Sequence, residues 1–165
     1  MKKFHSEHFG ASTSLKANAL RSQSHKYLWR RARHHRDQPF CLTVSFTHPH
    51  DPYNAKKEFW DLYEDTEIAM PTVPALPHDQ QDPHSQRLLK VIDLYGKEFT
   101  EEQIKKARRA YYANCSYVDS KVGELLKTLK DADLLDNTIV FFSGDHGDQL
   151  VSSFSRQRRH SLTLV

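Results

Sequence analysis

Hydrophobic residues are spread unevenly along the chain, in two distinct patterns. Phe40–Phe46 and Thr138–Phe142 are apolar or β-branched almost throughout and end in turn residues. Such unbroken runs predict strands buried on both faces of a parallel sheet. Elsewhere the apolar period is three to four. Tyr27, Leu28, Trp29 and Ala32, set among basic residues, predict an amphipathic helix from about Ser24 to near His35. Asp37-Gln38-Pro39 closes it. Phe59, Trp60, Leu62 and Tyr63 predict a short helix over Lys56–Tyr63, covering an apolar surface. Pro71, Pro74, Pro77 and Pro83 then make Thr66–Pro83 an extended excursion with little regular structure. Asp82 as cap and Pro83 at the first position predict a helix running to about Leu94, before Gly96. Thr100-Glu101-Glu102-Gln103 matches a capping box. It opens the longest predicted helix, to about Leu129, with Ile104, Ala107, Tyr111, Tyr117 or Val118, Val122, Leu125 and Leu129 along one stripe. The tyrosines of that stripe read as packing. A long helix feeding a buried strand is half of a crossover unit.

The fold class predicted is therefore α/β, with a mostly parallel sheet flanked by helices. By length the chain is one domain. Its expected divisions are an irregular segment over 1–22, a body over 23–150 and a basic, disordered tail over 151–165. No run approaches the ~18–20 apolar residues of a membrane span, and the polar N-terminus has no signal-peptide core. Cys41 falls in a predicted buried strand and Cys115 on a predicted helix. Two cysteines set no disulfide framework, so both read as reduced thiols of a cytoplasmic protein.

The net charge of +3 conceals an asymmetry. Residues 1–36 carry nine Lys or Arg against one acid, and residues 37–150 carry twelve against twenty. The tail adds three arginines and no acid. The cluster Arg30–Arg36 suits phosphate by its guanidinium forks, and equally suits a solvated helix face. An acidic body without a nucleic-acid-binding motif argues against nucleic acid as a partner.

Candidate chemistry lies just beyond the two apolar runs. Thr47-His48-Pro49-His50-Asp51-Pro52-Tyr53 follows the first, and Ser143-Gly144-Asp145-His146-Gly147-Asp148 follows the second. Ligands of open α/β sheets collect outside the carboxyl ends of strands, so histidine and aspartate at both ends predict one polar rim. Asp145 and His146 offer a hard oxygen and an imidazole nitrogen, half of a divalent-metal site. The same pair also suits a turn in which Asp145 bonds its own backbone, and the first loop also suits a proline-stiffened surface turn.

Pro39–Tyr53 and Thr138–Asp148 together resemble two segments of the sulfatase family, within the alkaline phosphatase-like superfamily. The intervening wording, Lys57–Asp65, Gln81–Leu88 and Arg108–Leu126, is most similar to members that hydrolyse choline O-sulfate to choline and sulfate. The resemblance spans about residues 24–150 and implies a central part of an alkaline phosphatase-like sandwich, incomplete at both ends. It implies that Asp145 and His146 are metal ligands, for calcium or manganese. It implies that His50 hydrogen-bonds the sulfate and its leaving oxygen, as catalytic and substrate-binding residue, with His48 supporting substrate binding.

Departures from the family pattern are as informative. Its formylglycine nucleophile is made in a Cys-x-Pro/Ala-x-Arg element, which neither Cys41-Leu-Thr-Val-Ser45 nor Cys115-Ser-Tyr-Val-Asp119 matches. The early Asp-Asp metal pair and the Lys-x-His element have no counterpart. The family's Gly-Glu loop and later lysine are likewise not found after Asp148. These departures predict a chain inactive by itself. Alternative readings are a phosphodiester or phosphonate monoester hydrolase of the same superfamily, a retained metal-binding or interaction fragment, and a non-catalytic basic nucleic-acid-binding fragment. A sheet lacking neighbouring strands predicts self-association through a bare edge.

Overall fold

The structure, a computed structural model, describes residues 5–11, 14–73 and 76–148. The predicted tail over 151–165 lies outside the described residues. The order of elements is β1 (His5–Ala11), α1 (Ser14–His34), β2 (Phe40–Phe46), α2 (Lys57–Trp60), α3 (Pro83–Val91) and α4 (Glu101–Asp131), with short 3-10 turns between α2 and α3 and after α4. The chain divides into two compact units, one of residues 1–52 and 114–140, the other of 53–113 and 141–165.

In the first unit β1 and β2 pair in parallel, in a register running from His5 beside Phe40 to Ala11 beside Phe46. The parallel, mixed helix-and-strand class is as predicted. The irregular segment expected over 1–22 is corrected: it contains β1, and α1 starts ten residues before the predicted Ser24. His5–Ala11 has weak strand propensity, and its pairing is with a strand some 35 residues later. Local pattern cannot register a partner that distant.

The bounds of β2 are as predicted, and its burial is not. Phe40, Leu42, Val44 and Phe46 are part-covered, whereas Cys41, Thr43 and Ser45 are exposed. Phe40 and Leu42 pack on a core of Tyr27, Leu28 and Leu129, joined by Leu125, Leu126, Leu134 and Leu135. One face of the strand is thus covered and the other open, which gives a period of two rather than double-sided burial. Cys41, expected inside, is an exposed free thiol. Of the arginines at the end of α1, Arg31 is buried, donating to the carbonyls of His35 (2.9 Å) and Gln38 and lying over the Phe40 ring. Arg36 binds Asp133. Two of the cluster's arginines are therefore structural, while Arg30 and Arg33 stay exposed.

The second apolar run departs most from expectation. Thr138–Phe142 forms no strand, and Ile139 and Phe141 are 82% and 83% exposed. An apolar run is buried on both faces only where strands flank it and layers cover it. The described sheet has two strands, and neither pairs with this run.

In the second unit, local signals are realised closely. Asp82 accepts from the backbone N–H of His84 (3.0 Å) and Ser85 (3.1 Å), capping α3 with Pro83 at its first position. α3 ends at Val91, earlier than predicted, and Leu94 and Tyr95 N–H return to the Leu89 carbonyl. Gly96 then takes φ +76°, a left-handed conformation that glycine adopts without steric cost. Thr100 and Gln103 make both bonds of the capping box, Thr100 N–H to Oε1 at 2.9 Å and Gln103 N–H to Oγ1 at 3.2 Å. The guanidinium of Arg109 on α4 donates to the Trp60 carbonyl (2.9 and 3.2 Å) and lies over the Trp60 ring, which fixes α2.

Candidate functional site

β2 ends at Phe46 because Pro49 and Pro52 cannot continue a ladder. The His50 N–H donates to the Thr47 carbonyl at 3.0 Å, closing a tight turn. His50 Nδ1 lies 2.7 Å from Asp51 Oδ1 and 2.9 Å from the Asp51 carbonyl, with both side chains largely exposed. Two oxygen acceptors at Nδ1 select the tautomer with hydrogen there, so the neutral ring carries its lone pair on Nε2. His48 behaves differently. It is half-buried, edge-on to Tyr117 of α4 at 5.3 Å between centroids. Burial pushes its pKa down, and burial pushes that of Tyr117 up, helped by the nearby Glu124 charge.

The second loop is held differently. Asp145 Oδ1 accepts the His146 N–H at 2.8 Å, the local turn that the sequence left open for this aspartate. His146 Nδ1 lies 3.2 Å from the Gly147 carbonyl, which places its hydrogen on Nδ1 and its lone pair on Nε2. That nitrogen is 3.8 Å from Asp145 Oδ2. Bonds from a divalent ion to oxygen or imidazole run about 2.0–2.6 Å, so one ion could touch both atoms. Asp145 is 88% exposed on its side chain. Among the described residues no group of three or more His, Cys, Asp or Glu could hold a metal. The donors fit a cation in kind and fall short in number, since even a tetrahedral site needs four ligands.

Two residues that sequence reasoning did not single out join this loop. The Tyr53 hydroxyl donates to Asp148 Oδ2 at 2.5 Å, and the Tyr53 ring stands edge-on to Tyr111 of α4. The available signal was their position: Tyr53 ends the first loop and Asp148 ends the second. The structure brings together His50 with Asp51, Asp145 with His146, and Tyr53 with Asp148. His48, His50 and Asp51 belong to the first unit; Tyr53, Asp145, His146 and Asp148 belong to the second.

The chain belongs to the sulfatase family, whose model matches residues 7–162. The match is wider at both ends than the resemblance over about 24–150. Over 113 residues the chain is 57% identical to the choline-sulfatase of Rhizobium meliloti (strain 1021), which covers 68% of this chain and 22% of that protein. An arylsulfatase of Clostridium perfringens is 29% identical over 113 residues, covering 68% of this chain and 23% of its own. A solved Bacteroides fragilis structure described as a sulfatase aligns with TM-score 0.57 and 27% identity, covering 81% of this chain and 25% of that one. The chain thus spans about a quarter or less of the length of these relatives. No helix among the described residues is long and apolar enough to cross a membrane.

Proposed function

We propose that this chain is part of a sulfuric ester hydrolase of the choline-sulfatase type, with choline O-sulfate as the ester recognised. The observation that carries the reading is the 57% identity to a choline-sulfatase within a family match that includes both loops. The fold it implies is the alkaline phosphatase-like sandwich, of which β1 and β2 would be two strands. His50 is the residue proposed to meet the sulfate and its leaving oxygen. With Nδ1–H turned to Asp51, the ring in its doubly protonated form would pass the Nε2 proton to the ester oxygen as it leaves, and return to the neutral ring with its lone pair on Nε2. His48, packed on Tyr117, is proposed to support substrate binding by shaping the same loop. Asp145 and His146 are proposed as two of the donors for a calcium or manganese ion, which when bound would neutralise sulfate charge.

Neither cysteine heads a Cys-x-Pro/Ala-x-Arg element, so no nucleophilic attack is derived from these residues. The chain alone is expected to bind weakly and to turn over nothing. The two free thiols accord with a cytoplasmic setting, which is part of the proposal. Calorimetric titration with Ca²⁺ and Mn²⁺ tests the metal side. Weak saturable binding that Asp145→Asn or His146→Ala abolishes is expected, whereas equal heats from both variants and the parent would refute it. Sulfate release from choline O-sulfate should stay at background, and robust release would overturn the reading of the nucleophile.

A further inference from the structure

The Ser143–Asp148 loop has few supports of its own. Ser143 bonds the Gly144 carbonyl, Asp145 bonds the His146 N–H, and His146 bonds the Gly147 carbonyl, all within one residue of each other. Glycines stand immediately before and after the Asp145–His146 pair, and glycine leaves backbone the greatest freedom to wander. At Gly147 an added Cβ would meet nothing within 4 Å, so space does not demand glycine there. Asp148 reaches far along the chain, accepting the Tyr53 hydroxyl at 2.5 Å across 95 positions.

Tyr53 is in turn well seated. Its ring is edge-on to Tyr111, with centroids 6.0 Å apart and planes at 87°. Tyr111 meets Tyr112, which meets Tyr63, and Arg108 donates to the Tyr112 hydroxyl at 3.3 Å. These rings stand on the first half of α4 and on the turn after α2. A phenol backed by a helix thus fastens the end of a glycine-flanked loop.

We propose that Tyr53 is a positioning residue: acting through Asp148, it holds the loop so that Asp145 and His146 keep one geometry. The inference rests on reading those two residues as a metal-side pair. It does not depend on turnover. Tyr53→Phe keeps the ring that meets Tyr111 and removes the hydroxyl that donates to Asp148, so the fold should survive; Asp148→Asn removes the charged acceptor and serves as the second variant.

The test follows ¹⁵N order parameters of Gly144, His146 and Gly147 alongside calorimetric Mn²⁺ affinity of the full chain. Order parameters near the rigid value of about 0.85 are expected in the parent and below about 0.6 in Tyr53→Phe. Affinity should fall roughly tenfold, the loss of one charge-assisted hydrogen bond. Asp148→Asn alone should act in the same direction, lowering the order parameters and the affinity below those of the parent. Gly147→Ala should restore part of the order and affinity in the Tyr53→Phe background, by removing backbone freedom that the anchor otherwise restrains. Unchanged order parameters in Tyr53→Phe overturn the proposal, whatever the metal result. Lower order with unchanged or undetectable Mn²⁺ binding upholds the anchor and instead overturns the metal-side reading of Asp145 and His146.

Discussion

His48 and His50 stand two residues apart on one loop and meet different environments. His50 is exposed and oriented by Asp51, whereas His48 is half-buried on Tyr117. Burial lowers the His48 pKa from its ordinary 6.5, so the folded state holds the ring neutral where the unfolded chain would begin to charge it. The unfolded state therefore binds more protons, and stability rises with pH across that window. Stability from this group is present above about pH 6.5 and is lost as pH falls toward the folded pKa. Denaturant unfolding at pH 7 and pH 5 should show the drop, and His48→Phe should flatten it; an equal drop in the variant would contradict the assignment. Histidines and carboxylates were legible as candidates because their types and positions are local facts. The Tyr53–Asp148 bond was not, since it joins residues 95 positions apart and neither looks unusual alone.

Among elements, those with their own punctuation were the most legible. Asp82 with Pro83 began α3, and the Thr100–Gln103 box began α4, each through bonds made within three residues. Thr100→Ala should cost about 1 kcal/mol, read as a lower unfolding midpoint with little change of slope. No loss would show that packing, not the cap, fixes the start of the helix. Gly96→Ala should cost about 1 kcal/mol or more, because φ +76° is strained for any residue with a Cβ. Strands were legible only as far as their sequences carried the signal. Phe40–Phe46 was found to the residue, while His5–Ala11 was missed because its strand state depends on the partner. Thr138–Phe142 was read as a buried strand because its residues suit one, yet burial is supplied by neighbours.

At the scale of the whole molecule, the first unit has a hydrophobic core of its own. Leu28, 1% exposed, stands in the core under β2, and Leu28→Ala should cost about 2–5 kcal/mol, measured by denaturant unfolding. The exposed Ile139–Phe142 run predicts association as concentration rises, by the tendency of contiguous exposed apolar surface to find partners. Phe141→Lys should reduce it in light scattering, while Val91→Lys, at an equally exposed site on α3, should not. The sulfatase assignment rests on wording spread through much of the chain, and the site proposed within it rests on two short loops. Its central claim is that the His50 loop recognises a sulfate ester. The most direct measurement is a titration with choline O-sulfate that follows the His50 imidazole by NMR, in the parent chain and in His48→Phe. A saturable shift of the His50 resonances, also produced by inorganic sulfate and larger than with phosphocholine, is the predicted result. Resonances that stay fixed through the titration would contradict the account.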